Sequence, residues 1–205
     1  KQKEFQGNII IIDGDSFRFQ HPRYLILQQN YGKDSVEYTK RFAGKMVECL
    51  VEKLSDLGYH LLIEGTLRTV EVPRNTSEIL QNKGYKVQMA LIATKPELSY
   101  LSTVIRYEEL YAINPEQARA TPKKHHDKIV ENLVHNTQLL EQTGLFERIQ
   151  IYQRDRNCIF DSKEDTISAA TVLQEVLFGK WNQIEKEMLK VGQEKLKILQ
   201  KRIED

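Results

Sequence analysis

The sequence predicts an α/β fold, a mostly parallel sheet flanked by helices and followed by a long C-terminal amphipathic helix. Three observations carry that reading. Strand-like runs alternate with helical segments along the 205 residues, the βαβα order of a parallel sheet. The first run, four isoleucines at 9–12, has no polar alternation, as expected of a strand covered on both faces. Three successive runs end on polar side chains, where open parallel sheets bind their ligands.

Taken in order, the strands are expected at NIIIID (8–13), YHLLIEG (59–65), YKVQMALIA (85–93) and RIQIYQ (148–153). Residues 35–57 read as a helix because Phe42, Met46, Leu50, Leu54 and Leu57 recur at three- and four-residue spacings, with Gly58 as its stop. Thr94-Lys95-Pro96-Glu97 reads as a capping box with proline in the first turn, opening a helix to about residue 112. AINPEQARA (112–120) is then a loop. Thr121-Pro122 opens a further helix with proline at its first position, closed by Gly144. The tail from Trp181 to Ile203 is amphipathic, with Ile184, Met188, Val191 and Leu199 recurring. The expected organisation is an α/β core over 1–179 and a C-terminal helix over 180–205 packed on that core.

Composition narrows the function classes. Thirty basic residues against 29 acidic ones leave a net charge of +1, so the bulk charge gives no reason to expect a nucleic-acid partner or an anionic membrane. No apolar run approaches the roughly 18 residues needed to span a bilayer, and the opening KQKEFQGN is not a signal peptide. Cys49 and Cys158 form neither a CxxC nor a disulfide framework, which suits a reducing, cytoplasmic setting.

The chemistry gathers at the strand ends. The first three strands end IIDGD, LLIEGT and ALIATK, so one parallel sheet would bring Asp13, Asp15, Glu64, Thr66 and Thr94 to the same edge. Such a set suits a hydroxyl-bearing substrate, one carboxylate taking the proton and the others fixing neighbouring hydroxyls. Asp15 lies two residues further from the strand than Asp13 and is freer to enter a cleft. Asp13 reads equally as a turn or cap residue. On spacing alone Glu48 is a solvated glutamate near Lys45, and Arg106 and Arg119 are surface cations beside Glu108, Glu109 and Glu116. His125 and His126 lack the i, i+4 spacing of a helical zinc pair and read as exposed. No metal ligands are assigned.

A phosphate-cradling G-x-x-x-x-G-K-[ST] occurs nowhere in the 205 residues. Gly44-Lys45 is followed by Met46, has Thr39 in place of the earlier glycine, and lies inside an amphipathic helix.

The stretches IIDGDSFRFQHPRY, LLIEGTLRT, ALIATKPELSYLSTVIRYEELY and INPEQARATPKKHHD together resemble the zeta toxin family of bacterial epsilon–zeta toxin–antitoxin systems, over essentially the whole chain. The resemblance implies a P-loop-kinase-like fold. It implies an ATP- and magnesium-dependent kinase acting on the 3′-hydroxyl of UDP-N-acetylglucosamine, which starves peptidoglycan synthesis and is held inactive by a cognate antitoxin. It implies Asp15 as general base, and Glu48, Glu64, Thr66 and Arg68 as the lining of the amino-sugar nucleotide pocket. Arg106 and Arg119 would stabilise the phosphoryl group in flight. In the family, a P-loop strand with its lysine and magnesium-binding hydroxyl precedes the point where this sequence starts, and KQKEFQGN would end the helix after that loop. The expectation is therefore a sheet lacking its first strand, with a bared strand edge, and a chain that phosphorylates nothing by itself. The competing expectations are a non-catalytic module that binds antitoxin or another subunit, and a kinase for another hydroxyl substrate.

Overall fold

The computed structural model describes residues 5–115 and 118–204. The elements run β1 (Ile10–Ile12), a 3-10 turn (Gly14–Gln20), α1 (Tyr24–Tyr31), α2 (Ser35–Asp56), β2 (Leu61–Ile63), α3 (Glu71–Asn82), β3 (Gln88–Ile92), α4 (Pro96–Ile113), α5 (Lys123–Gln142), β4 (Arg148–Tyr152), β5 (Cys158–Asp161), α6 (Ala169–Phe178) and α7 (Gln183–Glu204). They form two compact units, Lys1–Thr66 with Asn114–Arg119, and Leu67–Ile113 with Ala120–Asp205.

In the first unit β1 and β2 pair in parallel, Ile10 opposite Leu61 and Ile12 opposite Ile63. The connection between them is α2, which packs on both strands and on the 3-10 turn. Parallel pairing requires a crossover of this kind, because a tight turn cannot return the chain to the same end. Gly58 ends α2 at φ 78°, the left-handed conformation that a side chain disfavours. The expectation of a β1 buried on both faces is not met: Ile12 is 1% exposed but Ile11 is 44% exposed. The strand is short and has one strand neighbour among the described residues, so alternate side chains face opposite ways and only one side finds cover. The apolar stripe of α2 is shifted too. Phe42, Met46, Leu50 and Leu54 are half-buried and Leu57 is exposed. The tightest contacts fall one position over, on the small side chains Ser35, Thr39, Ala43, Val51 and Ser55.

The second unit carries a separate sheet in the order β3-β4-β5. β3 and β4 are parallel; β4 and β5 form an antiparallel hairpin. Met89, Leu91, Ile149, Ile151 and Phe160 from this sheet pack with Leu140 of α5 and Ala169, Leu173 and Leu177 of α6 into one core. At roughly 25 cal/mol per Å² of apolar surface removed from water, this burial is the main term holding the unit together. The single sheet expected from the strand ends is thus two sheets, and among the described residues β2 and β3 each have strand pairing on one edge only.

Several expectations shift in detail. Pro122 is the residue before α5, not its first helical residue. His126 is buried against the Tyr100 ring, with centroids 5.3 Å apart, and His125 is half-buried, so neither is exposed. The face of α7 that packs on α4 is Leu189, Gly192, Leu196 and Leu199, while Ile184, Met188 and Val191 stay exposed. Gly192 sits where an added Cβ would come 2.7 Å from Leu101, so close helix approach selects the small residue. Of KQKEFQGN, Lys1–Glu4 lie outside the described residues and Phe5–Gly7 form a turn.

Candidate active site

The turn after β1 is built from the carboxylates that the sequence places there. Asp13 accepts a hydrogen bond from the Asp15 amide at 2.9 Å, and its backbone carbonyl accepts from the Ser16 hydroxyl at 2.7 Å. These are the bonds of an N-cap, so Asp13 shapes the turn and is spent in doing so. Gly14 lets the turn lie against α2, since a Cβ there would meet Val47 at 3.3 Å. Glu48, one residue on, is thereby placed on the stretch of α2 next to the turn. It is exposed.

Asp15 projects outward from this scaffold and is met by two arginines. Arg18 Nε donates to Asp15 Oδ1 at 2.7 Å. Arg119 Nη1 donates to the Asp15 backbone carbonyl at 3.0 Å and lies 3.3 Å from Oδ1. Arg119 comes from 104 residues later in the chain. The fold therefore unites Asp15 and Arg119, a pairing that only the family resemblance had suggested. Arg18 was visible in the sequence as the cation closing DGDSFR, without a role.

Glu64 and Thr66 leave the carboxyl end of β2, the strand paired with β1. The Glu64 amide donates to the Ile12 carbonyl at 3.0 Å, continuing the ladder one step beyond the strands. Asp13, Asp15, Glu64 and Thr66 therefore emerge at one edge of the two-stranded sheet, as the strand-end pattern predicts. Thr94 follows β3, in the other sheet. Arg68 and Arg106 belong to the second unit, where both are exposed. Arg68 follows Leu67, a non-glycine residue at φ 51° whose carbonyl accepts from the buried Asn136 side chain at 2.8 Å. A bulky residue held in the left-handed region needs such support. Sequence reading missed this contact, because an asparagine on α5 gives no sign of reaching back across 69 residues. Glu116 and Gln117 lie outside the described residues.

Among the described residues no three His, Cys, Asp or Glu side chains cluster as a metal site, and no helix is long and apolar enough to cross a membrane. What the first unit offers chemically is an exposed carboxylate at a strand end, locked at its backbone and flanked by two guanidinium groups. A carboxylate so placed can accept a proton from a hydroxyl group brought to it.

The family model described as Zeta toxin matches residues 1–165. The chain is 75% identical over 199 residues to Toxin PezT of Streptococcus pneumoniae serotype 4 (strain ATCC BAA-334 / TIGR4), covering 97% of this chain and 79% of that one. It is 44% identical over 176 residues to Toxin zeta of Streptococcus pyogenes, covering 85% of this chain and 61% of that one. A solved structure from the PezAT chromosomal toxin–antitoxin system of the human pathogen Streptococcus pneumoniae superposes with a TM-score of 0.88 at 72% identity, over 97% of this chain and 78% of that one. With the family model covering most of its length and close relatives matching nearly all of it, this chain belongs to the zeta toxin family.

Proposed function

We propose that the protein is the toxin of a toxin–antitoxin pair, a kinase that moves the γ-phosphoryl group of ATP onto the 3′-hydroxyl of UDP-N-acetylglucosamine and so blocks cell-wall synthesis. The observation that carries this reading is Asp15, rigid at a strand end and bonded to Arg119. Asp15 takes the proton from the sugar hydroxyl as its oxygen attacks. Phosphoryl transfer asks the protein for positioning and charge balance more than for covalent chemistry. Arg119, within reach of the carboxylate that handles the nucleophile, balances charge on the group in flight, and Arg106 acts with it. Glu48, Glu64, Thr66 and Arg68 bind the sugar nucleotide, carboxylates and a hydroxyl suiting sugar hydroxyls. A cognate antitoxin protein is the expected partner, and the cytoplasm, where nucleotide sugars are made, the expected place of action.

The triphosphate and magnesium need a backbone cradle, a lysine and a metal-binding hydroxyl. The 205 residues contain no such motif, and their described carboxylates form no metal cluster. No step is therefore assigned to this chain's residues through the metal. By themselves these residues are expected to bind ATP poorly and to transfer nothing.

The test uses two proteins, this chain and one extended upstream to include a phosphate-binding loop. Each is incubated with γ-labelled ATP, magnesium and UDP-N-acetylglucosamine, and the label is followed by chromatography. Label reaching the nucleotide sugar with the longer protein only is the expected result. Label reaching another hydroxyl compound instead would replace the substrate and keep the kinase. Label moving with neither would favour the second reading, a module that binds antitoxin without catalysis, which the absence of the cradle motif from these residues already supports.

A further inference from the structure

The side chain of Arg18 reaches three groups at once. Its Nε donates to Asp15 Oδ1 at 2.7 Å, and its Nη1 donates to the Val36 carbonyl at 2.8 Å and the Thr39 hydroxyl at 3.2 Å. Thr39 is itself buried, its hydroxyl bonded to the Ser35 carbonyl at 3.2 Å. The exposures of the pair are opposite: the Arg18 side chain is 19% exposed and that of Asp15 55%. A surface ion pair between two waving side chains contributes little. Here one partner is fixed to Val36 and Thr39 near the start of α2 and holds the other in place. The guanidinium fork makes this possible, because its nitrogens point in set directions and can serve two sites together.

We propose that Arg18 is a positioning residue for Asp15, a strut from the start of α2 that sets the carboxylate's orientation. The assignment of an effect on turnover rests on the kinase reading above; the strut itself does not. Charged groups facing Asp15 include Arg18 on its own turn, Arg119 from the loop after α4, and Asp13 at the start of the turn. A guanidinium within hydrogen-bond reach of a carboxylate favours its charged form. Arg119 also engages the Asp15 backbone, whereas Arg18 acts on the carboxylate from a buried anchor.

The experiment follows the Asp15 carboxyl carbon by NMR across a pH titration of the upstream-extended protein, the signal identified by its loss in Asp15→Asn. Arg18→Gln is expected to raise the Asp15 midpoint by roughly one pH unit. With UDP-N-acetylglucosamine it should lower kcat roughly 10- to 100-fold, with little change in KM, and move the acid limb of the rate profile upward by the same step. Arg18→Lys keeps the charge but cannot span all three acceptors. It should restore most of the midpoint and little of the kcat, separating charge from orientation. It also serves if the glutamine variant does not fold. Arg74→Gln, which removes an equal charge from an exposed pair on α3, should change neither quantity. An unchanged midpoint and unchanged kcat per folded molecule in Arg18→Gln, even with a lower melting temperature, would overturn the proposal and leave Arg18 a stabilising residue. If the unmutated protein transfers no phosphate, the kinase reading fails, while the titration still decides the strut.

Discussion

Two arginine–aspartate pairs in this molecule use the same chemistry to opposite ends. In the second unit Arg148 grips Asp161 through Nε, at 2.8 and 2.9 Å from its two oxygens, and through Nη2. Gln150 Nε2 and the Lys163 amide add further bonds at 2.9 and 3.1 Å. The Asp161 side chain is 8% exposed, and the bond from Arg148 above all holds its carboxyl at about 2. That carboxylate faces inward and joins β4 to β5. In the first unit the burial is reversed: the arginine is sheltered and the carboxylate looks out. An aspartate enclosed by its partners organises the fold and is closed to substrate. One held from behind is rigid and still reachable.

The comparison can be broken most decisively at Asp15. Asp15→Asn in the upstream-extended protein is expected to cut kcat by roughly 10²- to 10⁴-fold, the usual worth of a general base. ATP affinity and melting temperature should hardly change. Steady-state kinetics beside a thermal melt would show it, and a variant that melts early but retains its rate would merge the two pairs into one structural class. Arg119→Gln should follow, lowering kcat by roughly 10²- to 10³-fold through lost charge balance.

Asp161→Asn should do the reverse, with kcat per folded molecule unchanged and stability lower. Leaving the Arg148 side poorly satisfied costs about 1–3 kcal/mol, roughly 5 °C in melting temperature for a chain of this size. The loss has a pH signature. The folded-state value of about 2 lies below the ordinary aspartate value near 4. The stability that Asp161 contributes is therefore complete above about pH 4 and disappears as pH falls through about 2. Melting curves of the parent and Asp161→Asn should be well separated at neutral pH and converge toward pH 2; a constant separation would deny the ion pair its role. The smallest effect belongs to Arg74 and Glu78, an exposed pair at 2.9 Å on α3. Breaking it with Arg74→Ala should cost less than about 0.5 kcal/mol in denaturant unfolding.

Much of the fold could be read before any coordinates. The runs at 8–13, 59–65, 85–93 and 148–153 each contain a strand; apolar periodicity predicted α2 and α7, and cap, proline and glycine signals predicted α4 and α5. β5 went unread because CIFD is four residues long and is a strand by virtue of its antiparallel pairing with β4. α6 went unread although Ser168 caps it through the Thr171 amide, a local signal that was available. On α7 Leu199 does pack, but other half-buried positions fall one residue after Ile184, Met188 and Val191. The stripe of α7 is broad, and the partner, α4, selects the side where Gly192 permits close approach.

The strand-end carboxylates were legible because chain direction and parallel pairing alone decide which edge they leave from. Their division of labour was not. DGD offers two aspartates that differ by two positions, and only the turn geometry spends Asp13 on an amide and turns Asp15 outward.

By itself the sequence determined what local spacing can encode: the order of elements, the helix stops, the absence of a phosphate cradle within these residues, and the family to which the four motifs belong. The tertiary structure decided which charges meet. Arg119 reaches Asp15 from 104 residues away, and Arg18 gains its leverage from a threonine and a carbonyl on another helix. Such contacts carry no periodic trace in the chain, because the free energy that fixes them arises only once packing has brought the partners together.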